Sequence, residues 1–242
     1  MRTLRVFVDA PLTAGSSQIL ANETAHHLRT VLRIKPGQSL QVFNGKGGYF
    51  DANITTCDKK QVSIELGQHH EGDNESPLAI TLLQGISRGQ KMDLALQKAV
   101  ELGVTRLIPV NCCHTGVKLD QDKSGKRRDH WQKIAINACE QCGRNTVPDV
   151  DLPQDFNEAL EVQPEGLKII LHPADGVPLQ SLDPPHHVIL LVGPEGGFSE
   201  TEIEQARKAA FQIVTLGPRV LRTETAAMAA LAACQALWGD IR

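Results

Sequence analysis

Two segments of the chain repeat one plan, in which a short apolar run is followed by a glycine-rich turn and then by a helix-forming stretch. The first is Leu191-Val-Gly-Pro-Glu-Gly-Gly-Phe-Ser199 and the second is Leu216-Gly-Pro-Arg-Val-Leu-Arg-Thr-Glu-Thr-Ala226. In the first, Val188, Ile189, Leu190, Leu191 and Val192 leave no polar position for a solvated face. Such a run reads as a strand covered on both sides, as the strands of parallel sheets are. Ser199 with Glu202 three residues on forms a capping-box pattern, so a helix is expected from there through about residue 210. Residues 212–216 supply the next strand, Gly217-Pro218 ends it, and Thr223 is suited to cap the last helix. Both loops then lie at carboxyl ends of strands, where open parallel sheets bind ligands.

The rest of the C-terminal part carries the same alternation. Strands are expected at 78–84, 106–110 and 167–171, and helices at 90–102, 129–142 and about 155–160. This predicts a parallel α/β sheet. Strand 167–171 ends at His172-Pro173, a third strand end for the same crevice, where His172 either touches a ligand or serves as a structural hydrogen-bonding residue. Before residue 70 the pattern differs, with short strands at 4–8, 39–43, 49–55 and 62–66, a hairpin turn at Asn44-Gly-Lys-Gly-Gly48, and one helix at 22–32. A small β-barrel is the natural closure. Residues 67–77 are polar and lack large aliphatic side chains, so they read as a linker between a 1–70 domain and a 71–242 domain.

Neither glycine loop is a familiar phosphate cradle, since Gly-x-x-x-x-Gly-Lys-Ser/Thr and Gly-x-Gly-x-x-Gly are both absent. No run approaches the roughly 20 apolar residues that a membrane-crossing helix needs, and the first residues lack the apolar core of a signal peptide, so a cytoplasmic protein is expected. Six cysteines form no disulfide framework; Cys139-Glu-Gln-Cys142 lies in a helical pattern with Ile134, Ala135 and Ala138 and reads as buried packing. The net charge of −3 gives no global attraction to a polyanion, so any contact with nucleic acid must use local patches. Arg2, Arg5, Arg29, Arg33 and Lys35 form one candidate group; Lys118, Lys123, Lys126, Arg127, Arg128 and Arg144 form another. Aromatic residues make up 4% of the chain, too few for a broad base-stacking platform. In the last helix, Gln235 alone is polar between Ala226 and Trp238. A helix without a solvated face must be covered all round, by its own fold or by a second subunit.

The two glycine segments, together with Ser87-Arg-Gly-Gln-Lys-Met92, Gln97-Lys-Ala-Val-Glu-Leu-Gly103 and Cys139-Glu-Gln-Cys-Gly-Arg144, occur in order over essentially the whole chain. In this the chain resembles the ribosomal RNA small subunit methyltransferase E family of the SPOUT superfamily. The resemblance implies an α/β fold: a C-terminal parallel α/β domain with a trefoil knot and an N-terminal PUA-like RNA-binding barrel. It also implies S-adenosyl-L-methionine held in the knot loops, a homodimer, and methylation of N3 of one uridine in the 16S ribosomal RNA of the small subunit. No metal, membrane or DNA partner is expected.

Within that frame the donor is expected on the backbone of Val192, Gly193, Gly196, Leu216 and Gly217, with walls from Leu171, Leu191 and Leu221 and with His172, Thr225 and Ala226 completing the pocket. Uracil N3 carries a weakly acidic imide proton, so a site must remove it or stabilise the anion left behind. Arg222 is the candidate for the anion or a nearby phosphate, unless it neutralises Glu224 or braces its loop. Glu195 and Glu224 are the candidate proton acceptors, and Glu195 alternatively organises backbone NH groups of its loop. Two other readings stay open: a methylase of a transfer-RNA ribose 2′-hydroxyl, separable by identifying the modified nucleoside, and a non-catalytic RNA-binding assembly factor, which binds RNA without consuming the donor.

Overall fold

The computed structural model describes residues 3–30, 33–58, 61–72, 74–116, 121–161 and 165–242. The chain forms two compact units, Met1–Glu75 with Cys139–Val147, and Ser76–Ala138 with Pro148–Arg242. In the first unit β1 (Arg5–Phe7), β2 (Ser17–Ile19), α1 (Asn22–Thr30), β3 (Ser39–Phe43), β4 (Tyr49–Cys57) and β5 (Val62–His70) follow in turn. The sheet order is β1-β3-β4-β5-β2, with β1 parallel to β3 and the other neighbours antiparallel. Val62, Ile64 and Leu66 point inward at the strand period of two and meet Leu40, Val42, Ala52 and Ile54 with Ala25 and Leu28 of α1 in one core. Register shifts between Phe50 and Ala52 and between Ile54 and Thr56 bend the β4–β5 ribbon around that core.

This unit corrects three expectations. The linker does not begin at 67, because β5 runs on through His70. Cross-strand ring pairs prolong the hairpin: Tyr49 stacks on His70 at 4.9 Å and Phe50 meets His69 at 4.7 Å. Residues 139–147 belong with the first unit although they lie far along the chain. Two candidate RNA-contacting cations are occupied internally. Arg144, 4% exposed, pairs with Glu75 at 2.6 Å, and Arg5 donates to the Asn145 Oδ1 at 2.7 Å and the Arg144 carbonyl at 2.9 Å while lying over the Phe43 ring. Arg33, Lys35, Lys126 and Arg127 remain exposed. Arg29 donates to the Asp58 carbonyl and Arg128 pairs with Asp129. Arg2, Lys118 and the Lys123 side chain lie outside the described residues.

The second unit adds β6 (Ala79–Gly85), α2 (Gln90–Glu101), β7 (Arg106–Asn111), α3 (Gln121–Cys142), β8 (Asp149–Val150), β9 (Gln154–Asp155), α4 (Phe156–Glu161), β10 (Leu167–Leu171), β11 (His187–Val192), α5 (Glu200–Lys208), β12 (Gln212–Val214) and α6 (Thr223–Trp238). The final turn of α3 falls in the first unit. The strand order is β12-β10-β11-β6-β7-β8, with β9 also on β7, and every pairing is parallel. Ile189 and Leu191 face a core shared with Phe156, Ala159 and Leu160 of α4 and Ala206 of α5. Alternation turns Val188, Leu190 and Val192 to the opposite face. There α6 packs on β11 and on α2.

Local chemistry explains the ends of these elements. Ser199 caps α5, accepting from the Glu202 NH while the Glu202 carboxylate accepts from the Ser199 NH, the capping box expected from sequence. Glu202 also accepts from the Cys113 NH at 2.7 Å, which anchors the loop after β7 to the start of α5. Thr223 does not cap α6: Arg222 occupies that position, and Thr223 is the first helical residue. The Cys139/Cys142 pair is only half buried. Burial pushes the Cys139 thiol up to about 12, whereas Cys142 is exposed, because the stripe rotates outward at the end of α3.

Candidate active site

Parallel order places the carboxyl ends of β12, β10 and β11 side by side. β10 lies between the two strands that carry the glycine loops, so the loops flank its end instead of sitting on neighbouring strands. A cavity of about 490 Å³ opens there. Leu171, Val192, Val214, Leu216 and Leu221 give it apolar walls, and residues 193–198 and 219–223 close around it. That volume lies in the range of small-molecule and cofactor pockets.

The backbone fits a ligand held closely at this spot. A Cβ at Gly193 would stand 3.1 Å from the Phe198 ring, which itself lines the cavity. Gly217 has φ +82, a conformation that side-chain-bearing residues rarely adopt. Loop 193–197 is also buttressed from behind, since a Cβ at Gly196 would stand 2.6 Å from His114 Cβ. Apolar walls with exposed backbone polar groups and no phosphate cradle suit a donor with an adenosine body, so S-adenosyl-L-methionine fits the residues present.

Of the residues expected to hold the donor, Leu171, His172, Val192, Gly193, Gly196, Leu216, Gly217, Leu221 and Ala226 line the cavity. Leu191 does not; it is fully buried in the α4/α5 core, as the strand period requires. Thr225 is exposed and lies outside the lining. His172 Nδ1 lies 2.8 Å from the Ala174 carbonyl and 3.3 Å from the Ala174 NH, so the ring is held by its own loop.

The three candidate catalytic residues occupy different settings. Arg222 is exposed, lines the cavity, and makes no ion pair among the described residues, so it does not neutralise Glu224. Glu224 sits in the first turn of α6 with Oε2 buried and, among the described residues, without a hydrogen-bond partner, off the cavity lining. Glu195 lines the cavity but is occupied, accepting from the Arg88 NH at 3.2 Å and pairing with Lys91 at 3.3 Å. Partial burial pushes its carboxyl up, yet hydrogen bonds from its own NH, the Arg88 NH and Lys91 outweigh this and hold it below the usual carboxylate range. A group lowered in this way is ionised at neutral pH, and its contribution to stability is lost only as pH falls through that lowered value. It is therefore a weak base at the pH where the protein works. Glu195→Gln is expected to leave the shape of the rate profile unchanged from about pH 6 to about pH 9; loss of an inflection in that range would mark Glu195 as the proton acceptor.

Several participants escaped the sequence reading. Phe198, Lys91, Arg219 and Val220 also line the cavity, and all four lie within the quoted motifs. Beneath it lies a polar contact set that no periodicity signals. Thr223 Oγ1 donates to the Gly193 carbonyl at 2.6 Å and accepts from Gln84 Nε2 at 2.9 Å, and Gln84 is fully buried at the end of β6. A second hydroxyl links the other strand ends, Thr215 Oγ1 donating to the His172 carbonyl at 3.0 Å and accepting from the Gly176 NH at 3.1 Å.

Comparison with known proteins gives this geometry a context. Residues 74–235 match the RNA methyltransferase domain family and residues 20–67 match the RNA methyltransferase PUA domain family. The chain is 33% identical to the ribosomal RNA small subunit methyltransferase E of Buchnera aphidicola over 240 residues, 98% of this chain and 95% of that protein. It is 31% identical to the protein of the same name from Bacillus subtilis, with 88% of each chain covered. It superposes on the crystal structure of the Neisseria gonorrhoeae ribosomal RNA small subunit methyltransferase E bound to S-adenosyl methionine with a TM-score of 0.94, at 42% identity over the whole of both chains.

Proposed function

Because the chain belongs to the ribosomal RNA small subunit methyltransferase E family of RNA methyltransferases, we propose that it methylates N3 of one uridine in the 16S ribosomal RNA of the small ribosomal subunit, acting in the cytoplasm. The observation that carries this reading is the cavity at the ends of β10, β11 and β12, walled by the backbone of both glycine loops, with Arg222 at its edge, a guanidinium that has no ion-pair partner among the described residues. S-adenosyl-L-methionine bound there supplies a methyl group on an electrophilic sulfonium. Val192, Gly193, Gly196, Leu216 and Gly217 hold it through their backbones, and Leu171 and Leu221 exclude water from its apolar parts. Arg222 stabilises the charge that builds on the uracil oxygens as the N3 proton leaves. With Glu195 held ionised by Lys91 and the Arg88 NH, and so a poor match to the weakly acidic imide, the N3 proton is lost to a basic solvent species, hydroxide or buffer.

The N-terminal PUA-like unit, including the expected 1–70 barrel, holds the RNA, with Arg33 and Lys35 exposed on it. The last strands and α6 thread the trefoil knot that the family resemblance implies. The test is incubation with isotopically labelled S-adenosyl-L-methionine and small ribosomal subunits or their naked RNA, followed by digestion to nucleosides. Label in 3-methyluridine supports the reading, label in a 2′-O-methyl nucleoside moves the reaction to ribose, and RNA binding without label leaves an assembly factor.

The homodimer rests on α6. Its one polar residue in the apolar stretch, Gln235, is turned inward and 1% exposed, donating to the Leu102 carbonyl at 3.0 Å and accepting from Ser76 Oγ at 2.7 Å. The outer stripe of Thr225, Met228, Ala229, Ala232, Ala233 and Ala236 follows helical spacing and carries no charge, and Leu237 beside it is 47% exposed. An uncharged stripe of this length fits a second copy of the chain better than water. Ala236→Glu is expected to convert a dimer to a monomer in light scattering coupled to size exclusion; a wild-type monomer, or a variant that stays dimeric, argues against this surface.

A further inference from the structure

We infer that Gln84 and Thr223 are positioning residues that set the donor loop and the Arg222 loop in register with one another, an inference that rests on the methyl-transfer reading of the cavity. Thr223 Oγ1 has one proton, and at 2.6 Å from the Gly193 carbonyl that proton is committed to Gly193. Its lone pairs are then free to accept, and Gln84 Nε2 fills one of them at 2.9 Å. The same amide nitrogen donates to the Gly85 carbonyl at 3.1 Å, so the orientation of the Gln84 amide is fixed by two acceptors. Its Oε1 is left buried without a hydrogen-bond partner among the described residues. A fully buried amide that leaves its oxygen unpaired carries a desolvation cost, and an apolar side chain at the end of β6 would avoid it.

The two contacts join three elements: the end of β6, the turn after β11 and the first turn of α6. Gly193 lines the cavity, and Arg222, the residue before Thr223, is the N-cap of α6 with no side-chain cap of its own. The Arg222 carbonyl accepts the Ala226 NH at 2.7 Å, so the helix start fixes the Arg222 backbone, and Thr223 fixes the helix start against Gly193. Methyl transfer depends on the placing of acceptor and donor, and small displacements are costly in rate. The hydroxyl of Thr223 therefore acts through the distance between the donor-binding backbone and Arg222.

The experiment compares Thr223→Val, which keeps shape and loses the hydroxyl, with Thr223→Ser, which keeps the hydroxyl, and with Gln84→Met and the double variant. Calorimetric affinity for S-adenosyl-L-methionine and turnover at saturating donor are read separately, beside melting temperature. Thr223→Val is expected to lose about tenfold in donor affinity and about 10- to 100-fold in turnover at saturation, with Thr223→Ser within about threefold of wild type on both. Gln84→Met is expected to show the same pattern more weakly, and the double variant to be no worse than Thr223→Val, since both break one chain. Valine and wild type alike in both readouts, serine as poor as valine, or additive losses in the double variant would each overturn the inference. If Thr223→Val fails to fold, Gln84→Met alone decides it, by falling in turnover or matching wild type. Wild type that binds no donor sinks the reading of the cavity instead, a different result from a variant that binds and turns over normally.

Discussion

Arg222→Ala is expected to lower turnover by about 10²- to 10³-fold, equivalent to about 2.7–4 kcal/mol of transition-state stabilisation, while donor affinity stays within about threefold. The split follows from geometry. The apolar walls and glycine backbone proposed to hold the donor come from Leu171, Val192, Gly193 and Gly217, none of which Arg222 supports through a side-chain bond. The guanidinium has no ion-pair partner among the described residues, so its removal leaves no buried carboxylate behind and little cost in stability is expected. Arg222→Lys is expected to recover only part of the rate, because an ammonium is a point charge and lacks the planar fork that spans two oxygens. Rates and isotherms for the three proteins check this; equal losses of affinity and turnover in Arg222→Ala would assign the arginine to loop bracing.

Gly193→Val is expected to weaken donor binding by at least about 100-fold, or about 2.7 kcal/mol, with the far-ultraviolet circular dichroism unchanged. Its Cβ would stand 3.1 Å from the Phe198 ring, and the valine methyls beyond it displace that ring or enter the cavity. The φ at Gly193 is not in the left-handed region, so the backbone accepts a side chain and the damage stays in the pocket. Gly217→Val acts differently. Its Cβ meets nothing within 4 Å, but φ +82 adds roughly 1–2 kcal/mol of backbone strain, so a drop in melting temperature accompanies any loss of binding. Isothermal titration with S-adenosyl-L-methionine distinguishes the two; normal titration by Gly193→Val would contradict the placement of the donor.

Where the sequence was legible, local chemistry was sufficient. Five consecutive apolar residues in β11 specify burial on both faces, and Ser199 with Glu202 specifies the start of α5; both stand as expected. Gln235 is the instructive case. The sequence marked α6 as needing cover all round, and the structure shows why one polar residue is tolerated: its amide is satisfied inside the fold by Leu102 and Ser76. Contacts between residues far apart in sequence stayed hidden. Nothing local in Arg5 or Arg144 distinguishes a surface cation from one committed to Asn145 or Glu75. Nor does any pattern reveal that β10 lies between β11 and β12, or that Thr223 reaches Gly193 rather than its own helix. For the site, the glycine loops gave the cavity, while Leu191 was misplaced because a strand's period of two sends it to the opposite face from Val192.

The central claim is methyl transfer to uridine N3 with Arg222 required for it. Mass spectrometry of nucleosides from small-subunit ribosomal RNA tests it most directly, in cells lacking this protein and in the same cells restored with wild type or Arg222→Ala. The account predicts that 3-methyluridine disappears without the protein and returns with wild type but not with Arg222→Ala. An unchanged 3-methyluridine level in the deficient cells would contradict it and point to another RNA or to a binding role.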